Sequence, residues 1–140
     1  MSKYYPYLYF WSLGLLIVFF AIRYGDDTTL DINIHDTYYV MQKSVIDIFF
    51  IGLTITSGLL YFIFINFNFP LKGTLTIIHT VSNLAGYLTI LILPEFLGYF
   101  SYELNLILFL SFIIILASQP LFLINVLRAI YLKLKNNHND

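Results

Sequence analysis

The chain is 140 residues long and has no cysteine; 59% of its residues are hydrophobic and 11% are charged. Soluble domains carry roughly a quarter charged residues, so this composition indicates a protein that is embedded in a membrane. The lack of cysteine excludes disulfides, thiol catalysis and Cys-ligated metal centres. No basic patch offers a surface for nucleic acid, and we expect no nucleic-acid partner.

Four apolar segments are each near or above the ~20 residues that a helix needs to cross the hydrocarbon core. They predict an all-α integral membrane fold, with four transmembrane helices in an antiparallel up-down bundle that forms a single domain over 1–140. The predicted helices are Tyr4–Ile22, Val45–Phe67, Gly73–Pro94 and Glu103–Tyr131.

The first apolar segment also fits a signal peptide, with Lys3 as its charged region and Leu13–Ile22 as its apolar region. No small-residue cleavage site follows it. Aromatic residues crowd its start, as in the belts that mark membrane interfaces. We therefore expect a retained helix rather than a cleaved leader.

The one long connection, Arg23–Ser44, carries most of the polar chemistry outside the apolar segments. Asp31, His35 and Asp36 lie within six residues and could bind a divalent cation if the loop folds back. Imidazole favours transition metals, whereas an all-oxygen site suits magnesium or calcium. The alternative is a polar loop with its aspartates in turns, and the spacing alone favours that alternative.

Polar and small residues fall on one face of each later helix and predict that these faces pack together, as in other membrane helix pairs. The faces are Thr54, Ser57 and Gly58; His79, Asn83 and Gly86; and Ser111, Ser118 and Asn125. An ionisable residue inside a membrane helix also raises a functional hypothesis, which applies to His79. The structural alternative has its ring bonded to Ser or Asn of a neighbouring helix. The tight connection 68–72 predicts that the second and third helices are antiparallel neighbours.

Lysine and arginine predict the orientation, because they are enriched in short cytoplasmic loops. With four helices, one side holds Lys3, Lys72, Arg128, Lys133 and Lys135, and the other holds Arg23 and Lys43. We expect both termini in the cytoplasm, the acidic loops outside, and a bacterial inner membrane as the location. Arg128 can reach lipid phosphates by snorkelling. The polar tail Lys133–Asp140 is expected to fray.

The run Leu30–Val40 (LDINIHDTYYV) resembles a signature of haem–copper oxidases, the loop before the tenth helix of cytochrome c oxidase subunit I. The similarity continues more weakly through Ile78-His79, Gly86 and Phe96-Leu97-Gly98, which fit the spacing of the eleventh helix and its following loop. It covers roughly 29–131, the C-terminal quarter of that subunit.

The resemblance implies that the loop faces outward and that His35 and Asp36 belong to a magnesium or manganese site, completed by another subunit or by water. The residue that Asp31 matches lies near haem propionates. The family continues into a His-x-His pair that ligates haem, and this chain has Lys43 and Val45 there. The earlier helices with the other ligands are also missing, so the resemblance implies neither bound haem nor oxidase activity.

Our leading hypothesis is therefore a non-catalytic membrane subunit or partner protein, with no catalytic residue and no certain cofactor. Its expected partners are membrane lipids and other membrane subunits or a second copy of the chain. One alternative is a haem- or metal-binding redox protein of the respiratory chain, in which a homodimer pairs two copies of His79. Another is a small transporter that uses the intramembrane polar face of His79 and Asn83.

Overall fold

The fold consists of four long helices and one β-hairpin, as given by a computed structural model that describes residues 5–24, 29–34, 37–97 and 102–137. The elements are α1 (Pro6–Tyr24), β1 (Thr29–Ile34), β2 (Thr37–Gln42), α2 (Lys43–Asn66), α3 (Gly73–Leu97) and α4 (Tyr102–Asn137). By length and composition, all four helices can cross a membrane. This confirms the predicted number of long apolar helices.

The long connection between α1 and α2 is not an irregular loop. Its strands pair antiparallel, with Thr29 opposite Gln42 and Ile34 opposite Thr37. Only His35 and Asp36, which lie outside the described residues, connect the two strands. Alternating apolar residues in β1 and the Thr-Tyr-Tyr-Val run in β2 suit a strand pair.

The fourth helix is longer than expected, because it continues to Asn137 where the tail was expected to fray. Its 36 residues span about 54 Å at 1.5 Å per residue. The Lys133 ammonium group donates to the Phe67 carbonyl and lies 4.3 Å from the centre of the Phe69 ring. Lysines in a last turn also complement the negative end of the helix dipole. These interactions account for the extra helical turns.

Two helix pairs pack most closely, α1 with α2 and α3 with α4, and α1 also contacts α3. Small residues permit these approaches. A Cβ atom on Gly14 would lie 3.1 Å from Thr54 Oγ1, and one on Gly86 would lie 2.6 Å from Ile115 Cγ1. The predicted packing of these faces against one another is found between α3 and α4, whereas the α2 face of Thr54 and Gly58 packs against α1 instead.

Helices α2 and α3 are sequential, but they are not among the pairs whose described backbones approach closely. They meet through long side chains. The Phe50 and Tyr87 rings lie 4.8 Å apart, and the Tyr61 hydroxyl reaches His79. The predicted contact between these helices is thus present, but bulky aromatic residues hold their backbones apart.

The interior holds two clusters of buried apolar side chains. The larger comprises Leu13, Ile17, Phe50, Tyr87, Leu91 and Ile115, and the smaller comprises Phe10, Tyr61 and Phe122. Large apolar side chains also cover the outside of every helix. Polar residues are therefore confined largely to the interior, which is the reverse of a water-soluble protein.

Candidate functional site

His79 lies between three other helices and is fully buried, with 0% of its surface exposed. Its imidazole is stacked between two aromatic rings. The Phe10 ring of α1 is 5.3 Å away at 28°, and the Phe122 ring of α4 is 4.9 Å away at 18°. Both faces of the imidazole are therefore covered.

Both nitrogens of the same ring have side-chain partners. Nδ1 is 3.0 Å from the Tyr61 hydroxyl, and Nε2 is 3.4 Å from Gln119 Oε1. Because an amide oxygen can only accept, Nε2 carries the hydrogen in this arrangement. In a neutral imidazole Nδ1 then accepts, so Tyr61 donates to it. The hydrogen bonds assign this tautomer.

The network extends from Gln119 to Asn83. Gln119 Nε2 donates to Asn83 Oδ1 at 3.1 Å and to the Ile115 carbonyl at 3.1 Å. Asn83 Nδ2 donates to Ser118 Oγ at 2.7 Å and to the His79 carbonyl at 2.7 Å. Ser118 in turn donates to the Ile115 carbonyl. Asn83, Ser118 and Gln119 therefore each donate and each accept at least one hydrogen bond, and their partners are one another, His79 and backbone carbonyls.

A second polar contact joins α3 to α4 at the start of α3. Asn125 Oδ1 accepts from the Lys72 backbone amide at 2.8 Å, and Asn125 Nδ2 donates to Thr76 Oγ1 at 2.9 Å. The first four backbone amides of a helix have no acceptor within the helix. Asn125 satisfies one such group and fixes the register between the two helices.

His79 and Asn83 lie on one buried face of α3, and the His79 ring bonds side chains of neighbouring helices, as in the structural alternative. The ring partners differ from expectation, since they are Tyr61 and Gln119 rather than Ser or Asn. Gln119 follows Ser118 directly, and a glutamine inside an apolar segment is a signal for an interhelical hydrogen bond. That signal could have identified it.

Two further buried polar groups belong to the opposite half of the helices. Asp47, near the start of α2, has only 6% of its surface exposed. Tyr87 is 1% exposed, and its hydroxyl has no hydrogen-bond partner among the described residues. Such a group is unusual, because buried hydroxyls are nearly always hydrogen-bonded.

Of the three predicted metal residues, only Asp31 belongs to the described part of the chain. His35 and Asp36 lie outside the described residues. Asp31 is opposite Val40 in the hairpin, three residues before the end of β1, or about 10 Å along an extended strand. No group of three His, Cys, Asp or Glu residues in the described part of the chain is arranged to hold a metal ion.

Lys43 and Val45, which the resemblance noted in the sequence aligns with haem ligands, lie at the start of α2. Val45 is 61% exposed on the outside of the helix. An apolar side chain in this place cannot ligate iron, and it lies away from the buried polar network. The departure seen in the sequence thus coincides with an outward-facing position.

No protein-family model, curated protein or solved structure matches this chain.

Proposed function

We propose that this chain is an integral membrane protein whose helices form an antiparallel up-and-down bundle. The order of the contacts between α1 and α2 supports this arrangement. Trp11 lies against Gly58, and Gly14, which comes later in α1, lies against Thr54, which comes earlier in α2. Helices that run in opposite directions are expected to make contacts in this order. Apolar residues on the outside of all four helices support contact with lipid.

The proposed location is a bacterial inner membrane with both termini in the cytoplasm. The excess of lysine and arginine at the end with the tight turn supports this orientation. Because the chain has no native cysteine, single cysteines can be introduced without background labelling. Cysteine at Asn136 should be protected from an impermeant maleimide in intact cells, and cysteine at Thr37 should react. The reverse pattern would overturn the orientation.

Within the membrane, we propose a non-catalytic subunit or partner protein that is similar to the C-terminal part of cytochrome c oxidase subunit I. One observation carries this proposal, the complete enclosure of His79. The imidazole that could have served chemistry has both faces stacked and both nitrogens bonded. It joins four helices, which is a structural role. The other polar residues of interest are those of the oxidase-like motif, which belong to the hairpin segment.

The two alternative functions both depend on His79 and receive less support. An axial haem ligand needs a free imidazole nitrogen, so iron would have to displace Tyr61 or Gln119. A homodimer that pairs two copies of His79 would also have to remove Phe10 or Phe122 from its faces. A transporter that uses the face of His79 and Asn83 would have to separate α3 from α4, because Asn83 bonds Ser118 across that boundary.

Purification in mild detergent, with mass spectrometry of co-purifying proteins, tests the subunit proposal. We expect a stoichiometric membrane partner that is lost when His35 and Asp36 are both replaced by alanine. Replacement of Asn136 and Asn137 by alanine is the matched control at the other end of the chain. A chain that purifies alone from its native membrane would overturn the proposal. A Soret band in its absorption spectrum would favour the haem-binding alternative instead.

The His35–Asp36 turn is also the proposed place for magnesium or manganese. Imidazole and carboxylate are suitable ligands for manganese, and carboxylate for magnesium. The strand distance from Asp31 supports completion of the site by a partner or by water rather than by Asp31 itself.

A further inference from the structure

Positive side chains surround the tight connection between α2 and α3. Arg128 Nη1 donates to the Pro70 carbonyl at 3.3 Å, and Lys133 donates to the Phe67 carbonyl. Lys72 lies on the same connection, and its side chain is exposed. Two cations of α4 and one of the connection are therefore gathered at one end of the molecule.

In the part of the chain that the structure describes, no acidic side chain forms an ion pair with this group. The sequence has no aspartate or glutamate at 48–94 or at 104–139. The acceptors that Arg128 and Lys133 use are neutral carbonyls. Since a guanidinium has five N–H donors and an ammonium has three, both retain donors and full charge for an anionic ligand.

An apolar stripe runs along α4 beside these cations. Leu123, Ile124 and Leu127 are all more than half exposed, and Leu127 follows the other two by four and three residues, which places it on one helix face with them. Arg128 follows Leu127 directly in sequence, so the stripe begins at the cations and runs toward the middle of α4. An apolar face bordered by cations matches a ligand with a hydrocarbon chain and an anionic head.

The depth of this surface can be derived from Asn125, which bonds the backbone at Lys72 and is therefore level with the start of α3. The twelve residues from there to Asn137 extend about 18 Å further at 1.5 Å per residue. The headgroup region is about 5–8 Å thick on each side of the bilayer. The last turns of α4 thus extend past the headgroups, whereas the charged groups of Arg128 and Lys133 reach back to carbonyls of the connection itself, which is at headgroup level if the helices span a membrane.

We infer that Arg128, Lys133 and Lys72 form a binding site for the phosphate headgroup of an anionic phospholipid, whose acyl chain runs from these cations toward the middle of the membrane along Leu127, Ile124 and Leu123. The inference rests on the proposed membrane location. Charge complementarity selects an anionic lipid over a zwitterionic one. The bound headgroup would join α4 to the connection between α2 and α3.

Lipid-depleted protein in a neutral detergent provides the test. Thermal unfolding is followed while phosphatidylglycerol, phosphatidylcholine with the same acyl chains, or inorganic phosphate is added. We expect phosphatidylglycerol to raise the midpoint and the other two to have little effect. Arg128→Gln and Lys133→Gln should each weaken the phosphatidylglycerol response about fivefold in concentration. Lys43→Gln, which removes one cation at the other end of the molecule, should leave the response intact.

Three results would overturn the inference: equal responses to the two lipids, a full response to inorganic phosphate, or equal losses in Lys43→Gln and Arg128→Gln. If Arg128→Gln or Lys133→Gln does not fold, the exposed Lys72→Gln gives the same comparison. Native mass spectrometry then counts the retained phosphatidylglycerol. Extraction of the native chain by alkaline carbonate would instead disprove the membrane location, and this result is independent of lipid selectivity.

Discussion

Removal of the Tyr87 hydroxyl is predicted to stabilise the protein, whereas most substitutions in a protein core are destabilising. The ring packs against Phe50 at 4.8 Å, and the hydroxyl has no hydrogen-bond partner among the described residues. A buried polar group without a partner costs about 1–3 kcal/mol. Tyr87→Phe keeps the ring and removes the hydroxyl, so it should stabilise the protein by about 1 kcal/mol.

The same chemical change should have the opposite effect at Tyr61. Its hydroxyl bonds His79 Nδ1 at 3.0 Å, so Tyr61→Phe leaves a buried imidazole nitrogen without a partner. Interhelical hydrogen bonds in membranes contribute about 0.6 kcal/mol on average, and an orphaned buried acceptor costs about 1–3 kcal/mol. We expect destabilisation of about 1 kcal/mol or more, which makes the two variants differ by about 2 kcal/mol.

Reversible unfolding in mixed micelles, with helicity followed by circular dichroism, measures these differences. Tyr131→Phe is the matched control, because this side chain is 63% exposed and exposed substitutions usually change stability by less than about 0.5 kcal/mol. Loss of stability in Tyr87→Phe would refute the reasoning. The Tyr87 hydroxyl would then have a partner, such as a buried water or a group of another subunit.

Three other predictions follow from close contacts and from the proposed metal. Gly86→Ala should destabilise the protein by about 1–3 kcal/mol through overpacking, because the new Cβ would lie 2.6 Å from Ile115. The control is Gly52→Ala, whose new Cβ would have no neighbour within 4 Å. In the same unfolding assay this control should be neutral or stabilising. Asn125→Leu should speed hydrogen exchange at Lys72 and Gly73, because the Lys72 amide loses its acceptor at 2.8 Å; unchanged exchange there would contradict this role. His35→Ala combined with Asp36→Ala should remove stoichiometric manganese or magnesium, measured by elemental analysis, without loss of helicity; unchanged metal content would reject the assignment to this turn.

Hydropathy and residue spacing were sufficient to predict the four helices and the packing of α3 on α4 through their polar faces, but not that the face of Thr54 and Gly58 on α2 packs against α1. Helix length is constrained by the thickness of the bilayer, so apolar segments mark spans clearly. The i, i+4, i+7 spacing of His79, Asn83 and Gly86 reports a helix face directly. For this reason the polar interior of α3 and α4 could be predicted without knowledge of the contacts.

The partners of His79 could not be derived in the same way. Tyr61 belongs to α2. Whether its hydroxyl can bond His79 of α3 depends on the distance between the two helix backbones, which the aromatic side chains between them determine. Periodicity places a residue on a face but says nothing of the distance between helices. Gln119 lies beside the predicted Ser118 stripe, so its part in the network depends on helix rotation. The strands were missed because a polar loop of this length was expected, although its alternation favours strands.

The proposal of a non-catalytic subunit draws on two separate features, the oxidase-like motif of the sequence and the enclosed histidine of the structure. In the family that the motif resembles, the signature leads into haem ligands, and here it leads into α2 at Lys43 and Val45. A histidine that ligates haem also needs a ring nitrogen that is free to bind iron. His79 instead packs against Phe10 and Phe122 and is bonded by Tyr61 and Gln119. These contacts join the four helices, and the proposed function therefore assigns the partner contact to the hairpin segment rather than to His79.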